Sequence, residues 1–246
     1  MKKIITRIIL SCLVIMSVSS LQSCNDDGYS LGDFYLSYAT VKRGTNTYYL
    51  QLDSGDKLWV AAGYLGYNGV DGQRVIADYT ILSDKQGEFA HYVKVNNLWN
   101  ILTKNIEKVE TEKQDEEFGN NKLFGINEMW FGGGYININF SFFLPQVNRQ
   151  HRISLVENLL NDQYSDDGYL YLELRYNSYN NESDYVGKDM VSFNTNNVNL
   201  EGKKGFKIIW KNAEDEEVIQ TLEVKKAKPV DSEDMPKLNQ DNMVHN

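Results

Sequence analysis

From residue 33 onward, apolar and polar residues alternate with a period of two, and the whole chain contains only three prolines. The clearest run is 135–142, in which every second residue is Ile or Phe and the residues between them are Tyr, Asn or Ser. Successive side chains of a strand point to opposite faces, so this pattern predicts strands with one apolar and one polar face. Strands of that kind form antiparallel sheets with one solvated face. The sequence therefore predicts an all-β protein.

A first block of strand patterns, residues 33–106, is predicted to form an OB-like β-barrel domain. Five short strands in about 75 residues, with a glycine-rich loop at 63–72, fit a small and nearly closed barrel. A short helical turn is also expected at 97–102, where apolar residues follow the i, i+3, i+4 spacing after Asn97, a suitable N-cap. The strands are expected at 34–41, 48–53, 57–61, 73–82 and 91–95.

A second block, residues 123–225, is predicted to form an antiparallel β-sandwich, because about seven half-polar strands can pack as two sheets. One part of it, 152–157, fits either a strand or the start of a short helix. Residues 107–122 between the blocks are charged and lack alternation, so they are predicted to be a linker. Residues 226–246 contain two prolines and no apolar pattern, which predicts a disordered tail.

The first 23 residues have the layout of a secretion signal peptide: basic residues, then an apolar run at 8–18, then small residues. This apolar run is too short to cross a hydrocarbon layer about 30 Å thick as a helix. Cys24 follows directly, in an arrangement that resembles the lipidated cysteine of bacterial lipoproteins. We therefore expect palmitate-type acyl chains on Cys24 and a tether at 24–32. The alternative is an ordinary cleaved signal followed by a chance cysteine.

The cysteine content and the net charge exclude some structures and partners and bear on where the protein resides. The other cysteine, Cys12, leaves with the signal, so no disulfide framework is possible. The mature chain keeps 22 basic and 34 acidic residues, a net charge of −12, which disfavours nucleic acids and anionic headgroups. We expect an outer membrane lipoprotein of the cell envelope. Asp26 and Asp27 beside the anchor resemble signals for display on the cell surface, although they also fit a plain solvated linker.

Several stretches resemble NigD-like lipoproteins of Bacteroidetes-type bacteria. These are CNDDGYSLGD at 24–33, YYLQLDSGDKLW at 48–59, GQRVIADYTIL at 72–82 and YVKVNNLWNILTK at 92–104, with a weaker likeness in GFKIIW at 205–210. The resemblance implies an N-terminal OB-like barrel, a C-terminal β-sandwich and a role in bacteriocin immunity. It supplies no catalytic residues that could be transferred to this chain.

Residues typical of catalysis are sparse in the sequence. His91, His151 and His245 do not have the spacing of a zinc site, and no Gly-x-Ser-x-Gly motif is present. With Cys24 lipidated, no free thiol remains for Cys–His catalysis. We therefore predict no enzyme activity, no catalytic residues, no metal and no cofactor.

Acidic pairs offer a weaker chemical alternative. Asp53 with Asp56, and Asp166 with Asp167, could bind Ca²⁺ or serve the hydrolysis of glycosides. Both pairs also lie beside glycines, where Asp and Gly build hairpin turns, and neither has the spacing of an EF-hand. The turn interpretation is favoured, and a hydrolase is the last of the three functional hypotheses.

Aromatic residues give the one positive indication of a binding surface. Several fall on strand faces predicted to be solvated, where Tyr and Trp suit contact with a protein or a sugar, although they also pair across strands in ordinary sheets. The first hypothesis is a non-enzymatic envelope protein that binds a toxin peptide. The second is a surface glycan-binding or assembly accessory protein, since OB barrels bind oligosaccharides. The candidate surface residues are Trp59, Tyr64, Tyr67, Tyr135, Tyr169 and Tyr171.

Overall fold

The computed structural model describes residues 32–45, 47–161 and 164–224. The predicted signal peptide, Cys24, all of the tether except Gly32, and the predicted disordered tail lie outside these residues. The described residues are almost entirely strands and connecting loops, so the all-β prediction is confirmed. No helix among them is long and apolar enough to cross a membrane.

The N-terminal strands close into a barrel in the order β1-β2-β3-β5-β4 and back to β1. Only the β3–β5 pair is parallel among them. Val41, Leu50, Val60 and Val93 are fully or almost fully buried in the barrel interior. The predicted OB-like barrel is confirmed. Its strands are β1 (Tyr35–Arg43), β2 (Tyr48–Leu52), β3 (Lys57–Gly63), β4 (Arg74–Ile81) and β5 (His91–Asn100).

The helical turn expected at 97–102 is wrong. Strand β5 continues to Asn100, and Leu98 and Trp99 pair with Ala77 and Ile76 of β4. The i, i+3, i+4 spacing is a local signal, and the long-range ladder with β4 overrides it.

The C-terminal strands form two packed sheets. One has the order β14-β13-β11-β10-β7 and the other the order β6-β12-β9-β8. Most pairs are antiparallel, as predicted, but β7–β10, β11–β13 and β6–β12 are parallel. The strands are β6 (Leu102–Asn105), β7 (Glu107–Val109), β8 (Gly125–Gly132), β9 (Tyr135–Phe143), β10 (Arg152–Asn158), β11 (Tyr169–Asn177), β12 (Val186–Asn194), β13 (Gly205–Lys211) and β14 (Glu217–Glu223).

Side chains from both sheets fill the core of the sandwich. Ile138 and Phe140 of β9 meet Leu172 and Leu174 of β11, all at most 2% exposed. The ambiguous segment 152–157 is strand β10, and its alternate residues Ile153 and Leu155 point into the same core. The predicted β-sandwich is confirmed.

Residues 107–122 were expected to form a linker, but they hold strand β7 and helix α1 (Glu112–Phe118). The hydroxyl of Thr111 accepts a hydrogen bond from the backbone N–H of Gln114, whose side chain accepts one from the backbone N–H of Thr111. This capping box starts the helix, and Phe118 near its end packs on Val109 and Val156. The charged residues therefore form the solvated face of a short helix that lies against the sandwich.

The barrel and the sandwich meet through an apolar cluster. Tyr38 and Ile76 of the barrel pack with Trp130 and Met190 of the sandwich and with Ile101 between the two domains. The rings of Tyr38 and Trp130 lie 4.9 Å apart. Apolar burial of this kind stabilises the contact and fixes the relative position of the two domains.

Candidate functional site

The six aromatic residues predicted to form a surface do not lie together. Trp59 is half-buried on the outer face of β3, and Tyr64 and Tyr67 belong to the loop between β3 and β4. Tyr135 lies on β9 and is only 4% exposed. Tyr169 and Tyr171 lie on β11, where they are half-buried. The structure therefore distributes them over four places.

One of these places is a continuous aromatic surface on the barrel, formed by Tyr49, Trp59, Phe89 and Tyr92. Tyr49 pairs with Trp59 across β2 and β3, and Trp59 pairs with Tyr92 across β3 and β5, so the three rings share one face. Phe89, from the β4–β5 loop, lies over them. Its ring centre is 5.6 Å from that of Tyr49, 5.2 Å from that of Trp59 and 6.4 Å from that of Tyr92.

Among the described residues around the aromatic surface, one ion pair lies at its rim. The ammonium of Lys57 lies 5.6 Å from the centre of the Tyr49 ring and 2.5 Å from the carboxylate of Glu88. The hydrogen bond with Glu88 raises the pKa of Lys57, so the amine stays charged at neutral pH. Strands 2 and 3 and the β4–β5 loop form the ligand face of OB barrels, and the aromatic surface occupies this position.

Tyr64 and Tyr67 attach their glycine-rich loop to β5. The Tyr64 hydroxyl donates to the side chain of Asn97 at 3.0 Å, and the Tyr67 hydroxyl donates to that of Asn100 at 2.5 Å. Tyr48 donates to the backbone oxygen of Tyr64 at 2.7 Å, and burial raises the pKa of Tyr48 to about 12. These hydroxyls hold the loop in place, which leaves the rings less available to a ligand.

The expectation that Tyr135 lies on a binding surface is wrong, because the barrel covers it. Its hydroxyl donates to the backbone oxygen of Gly72 at 2.8 Å, and its ring centre lies 5.0 Å from the guanidinium carbon of Arg74. Arg74 is itself fully buried and donates two hydrogen bonds to Asp53, at 2.6 and 2.9 Å, and one to Asn137 at 3.3 Å. Tyr135 therefore belongs to the junction of the two domains.

Tyr169 and Tyr171 surround an ion pair on the outer face of the larger sheet. The ammonium of Lys207 lies 5.5 Å from the Tyr169 ring centre and 5.1 Å from that of Tyr171, and it pairs with Asp167. Lys207 holds the pKa of the Asp167 carboxyl below its usual value. Tyr171 also stacks on Tyr164, with ring centres 4.8 Å apart.

The acidic pairs considered from the sequence have structural partners. Asp53 is paired with Arg74 at the domain junction, and Asp167 with Lys207. Asp56 accepts a hydrogen bond from Ser54 at 2.9 Å within the β2–β3 turn. Over the described ranges, no group of three or more metal-ligating side chains could hold an ion.

The two described histidines serve the fold. His151 is 1% exposed, and its Nδ1 accepts from the Tyr176 hydroxyl while its Nε2 donates to the backbone oxygen of Asn181 at 2.6 Å. Burial lowers the pKa of His151, so the ring is neutral at pH 7. His91 is half-buried, with Nδ1 2.9 Å from the backbone oxygen of Ser83.

The sequence predicted Trp59 but missed its partners. Tyr49 lies across the β2–β3 hairpin from Trp59, but Tyr92 could have been found only from the parallel pairing of β3 with β5, which are not neighbours in sequence order. Phe89 follows Gly87 and Glu88 in a loop, so no strand pattern marked it. The signal that could have found it is an aromatic residue next to a turn, two residues before a strand whose second residue is also aromatic.

Two family profiles match the chain. The NigD-like N-terminal OB domain matches residues 38–101, and the NigD-like C-terminal beta sandwich domain matches residues 105–225. These matches bear out the resemblance seen in the sequence. No curated protein matches the chain.

Three solved structures are similar to this one. A protein of unknown function from Bacteroides vulgatus is 27% identical with a TM-score of 0.68, covering 84% of this chain and 96% of its own. A protein from Parabacteroides distasonis, named as a candidate toxin-related protein, is 33% identical with a TM-score of 0.60, covering 77% and 93%. A NigD-like immunity protein from Bacteroides caccae is 19% identical with a TM-score of 0.56, covering 78% and 94%, a likeness that shows the fold alone.

Proposed function

We propose a function from the premise that this chain belongs to the NigD-like family, since profiles of that family match both of its domains. The function is that of a non-enzymatic binding protein of the cell envelope, which captures a peptide toxin and protects the cell that carries it. The names of two similar structures support this proposal, because one is a NigD-like immunity protein and the other is named as toxin-related.

The observation that carries the proposal is the aromatic surface on the barrel. Aromatic side chains are enriched at protein interfaces, and a few buried anchors usually supply most of the binding energy. Trp59 and Phe89 are held by ring contacts with their neighbours, so they lose little conformational freedom when a partner covers them. Tyr92, which is 36% exposed, keeps part of its ring open to a partner.

We propose that Cys24 carries the lipid that keeps the protein at the outer membrane, with display on the cell surface. The support lies in the sequence: a signal-like segment, small residues before Cys24, and a polar start after it. Several acyl chains on one cysteine anchor a protein stably, because each buried CH₂ contributes about 0.8 kcal/mol.

The test is a sensitivity assay on a deletion strain exposed to supernatants of related bacteria. Four genes are returned in parallel: wild type, Cys24→Ala, Trp59→Ala and Phe124→Ala. Phe124 is a matched control, since it is an aromatic residue that is 49% exposed but packs on Phe143 of the sandwich. We expect wild type and Phe124→Ala to restore resistance, and Cys24→Ala and Trp59→Ala to fail. Deletion without sensitisation to any killer, or full protection by Trp59→Ala, would count against the proposal.

A second candidate is a surface glycan-binding or assembly accessory protein, favoured by the position of the aromatic surface on the ligand face of an OB barrel. Sugar rings stack on aromatic faces through their C–H groups, so Trp59 and Tyr92 could serve a glycan as well as a peptide. A glycan array separates the two candidates. Binding that requires Trp59, in a protein whose deletion causes no sensitisation, would favour the glycan.

A further inference from the structure

A polar groove crosses one end of the sandwich, far in the fold from the aromatic surface. It consists of two neighbouring cavities of about 400 and 440 Å³ that share Glu182. Each volume is about that of a small-molecule site, but both cavities are open to solvent, so an extended ligand would lie across them. The first cavity is lined by Asn120, Asn121, Lys122, Ser178, Asn180, Glu182, Lys211 and Asp215.

The side chains of the first cavity divide into two groups. Lys122 donates to the backbone oxygen of Ala213 at 3.1 Å, and Lys211 pairs with Asp215 at 3.0 Å, so both cations are already engaged. In contrast, no hydrogen bond occupies the side chains of Asn120, Asn180 or Glu182 within the described part of the chain. Two amides, which donate and accept, and one carboxylate, which accepts, therefore keep their hydrogen-bonding capacity for a ligand that offers several hydroxyl groups.

The second cavity places a few apolar side chains beside further polar residues, Gln146, Ser183 and Asp184. Leu144 and Pro145 form part of its wall, and Tyr185, with 76% of its surface exposed, stands at its edge. A sugar has hydroxyl groups at its rim and C–H groups on its faces. It can therefore contact the amides of one cavity while it lies on the ring of the other.

The groove is preformed, because buried side chains fix its loops. Asn181 is 6% exposed, accepts from the backbone N–H groups of Gln146 and Val147, and donates to the backbone oxygens of Val147 and Arg149. Asn121 accepts from both the backbone N–H and the hydroxyl of Ser178. A site that is ordered before binding loses less conformational entropy when the ligand arrives.

We propose that this groove binds an oligosaccharide, with Asn120, Asn180 and Glu182 as hydrogen-bonding partners and Tyr185 as the stacking platform. The site is separate from the aromatic surface and does not depend on the immunity proposal. With this site, the sandwich and the barrel would each bind a different ligand.

The test is saturation-transfer NMR on the soluble mature chain with a panel of hexasaccharides: maltohexaose, cellohexaose, xylohexaose and mannohexaose. The variants are Tyr185→Ala, Glu182→Gln and Asn180→Gly. Glycine is chosen at position 180 because φ is +56° there, a region that glycine adopts without strain. Asn196→Gly is the matched control, since Asn196 is an exposed asparagine after the opposite end of β12.

We expect at least one hexasaccharide to bind and each groove variant to weaken its binding about three- to tenfold, the loss expected when one hydrogen bond or one ring contact is removed. Asn196→Gly should bind like the wild type. Absence of saturation transfer from every probe to the folded protein would overturn the proposal. Binding that survives the three groove variants but is lost in Trp59→Ala would also overturn it, because the sugar would then lie on the barrel.

Discussion

Replacement of Arg74 by methionine is expected to lower the free energy of unfolding by about 3–5 kcal/mol. Methionine keeps the apolar stem but removes a guanidinium that is fully buried. Four hydrogen bonds disappear, to both oxygens of Asp53, to the Thr40 hydroxyl and to Asn137. The main loss is that the Asp53 carboxylate, only 4% exposed, would remain as a buried charge without its partner.

A double-mutant cycle separates this effect from simple packing. In the double variant Asp53→Leu/Arg74→Met no buried charge remains, and a buried ion pair replaced by apolar residues of similar size often leaves stability unchanged. We therefore expect the double variant to be more stable than Arg74→Met by about 2 kcal/mol or more. Asn137 tolerates the change, since its side-chain oxygen still accepts from the Ser192 hydroxyl at 2.7 Å.

The assay is urea denaturation followed by tryptophan fluorescence. Trp59 reports on the barrel and Trp210 on the sandwich, while Trp99 and Trp130 lie where the two domains meet. Because Arg74 joins the two domains, Arg74→Met is also expected to separate a shared unfolding transition into two. A loss below about 1 kcal/mol in Arg74→Met, or single-variant losses that simply add in the double variant, would refute the reasoning.

Three further predictions concern stability and use the same assay. Gly63→Ala should lower the free energy of unfolding by at least about 3 kcal/mol, because φ is +84° and the added Cβ would lie 1.9 Å from the Val95 carbonyl oxygen. Gly55→Ala, at φ +95° with open space around it, should lower it by only about 1–2 kcal/mol, and equal losses in the two variants would contradict this reasoning. Thr111→Ala should cost about 1 kcal/mol and Thr111→Ser much less, since serine keeps the capping hydroxyl; equal effects would exclude the cap as the cause. Burial lowers the pKa of His151 in the folded state, so below about pH 6.5 the unfolded chain binds more protons at this residue than the folded chain does. The free energy of unfolding should therefore fall as the pH drops from about 6.5, and it should fall less steeply in His151→Gln. Identical pH profiles of the two proteins would refute this.

Most of the fold could be predicted from the strand patterns, because a strand that is buried on one face has apolar residues at every second position. The run at 135–142 became β9, with Ile136, Ile138, Phe140 and Phe142 in the core. The same local logic failed at 97–102, where the apolar spacing matched a helix but β4 offered a partner strand. It also failed at 107–122, since the capped helix α1 presents mostly charged residues and buries one aromatic, Phe118.

The binding surface was harder to predict than the strands, because alternation shows which residues share a face but not what covers that face. Tyr135 lies on the polar face of β9, and the sequence had no means to show that the barrel packs there. Trp59 also lies on a polar face, and its face stays partly open. The difference between these two residues comes from the contact between the domains, which depends on pairs such as Arg74 with Asn137, 63 residues apart in the chain.

Attachment at Cys24, as proposed, would set how strongly the aromatic surface must bind. About eleven residues separate Cys24 from Tyr35, the first residue of β1, so the barrel would stay within roughly 40 Å of the membrane. A toxin acting on the same membrane would be confined with the protein to this thin layer, so capture would need a weaker affinity than it would in free solution. Purified Cys24→Ala protein should therefore bind the toxin as tightly as the wild type while its gene fails to protect cells. Full protection by the unanchored protein at equal abundance would show that capture does not depend on the membrane.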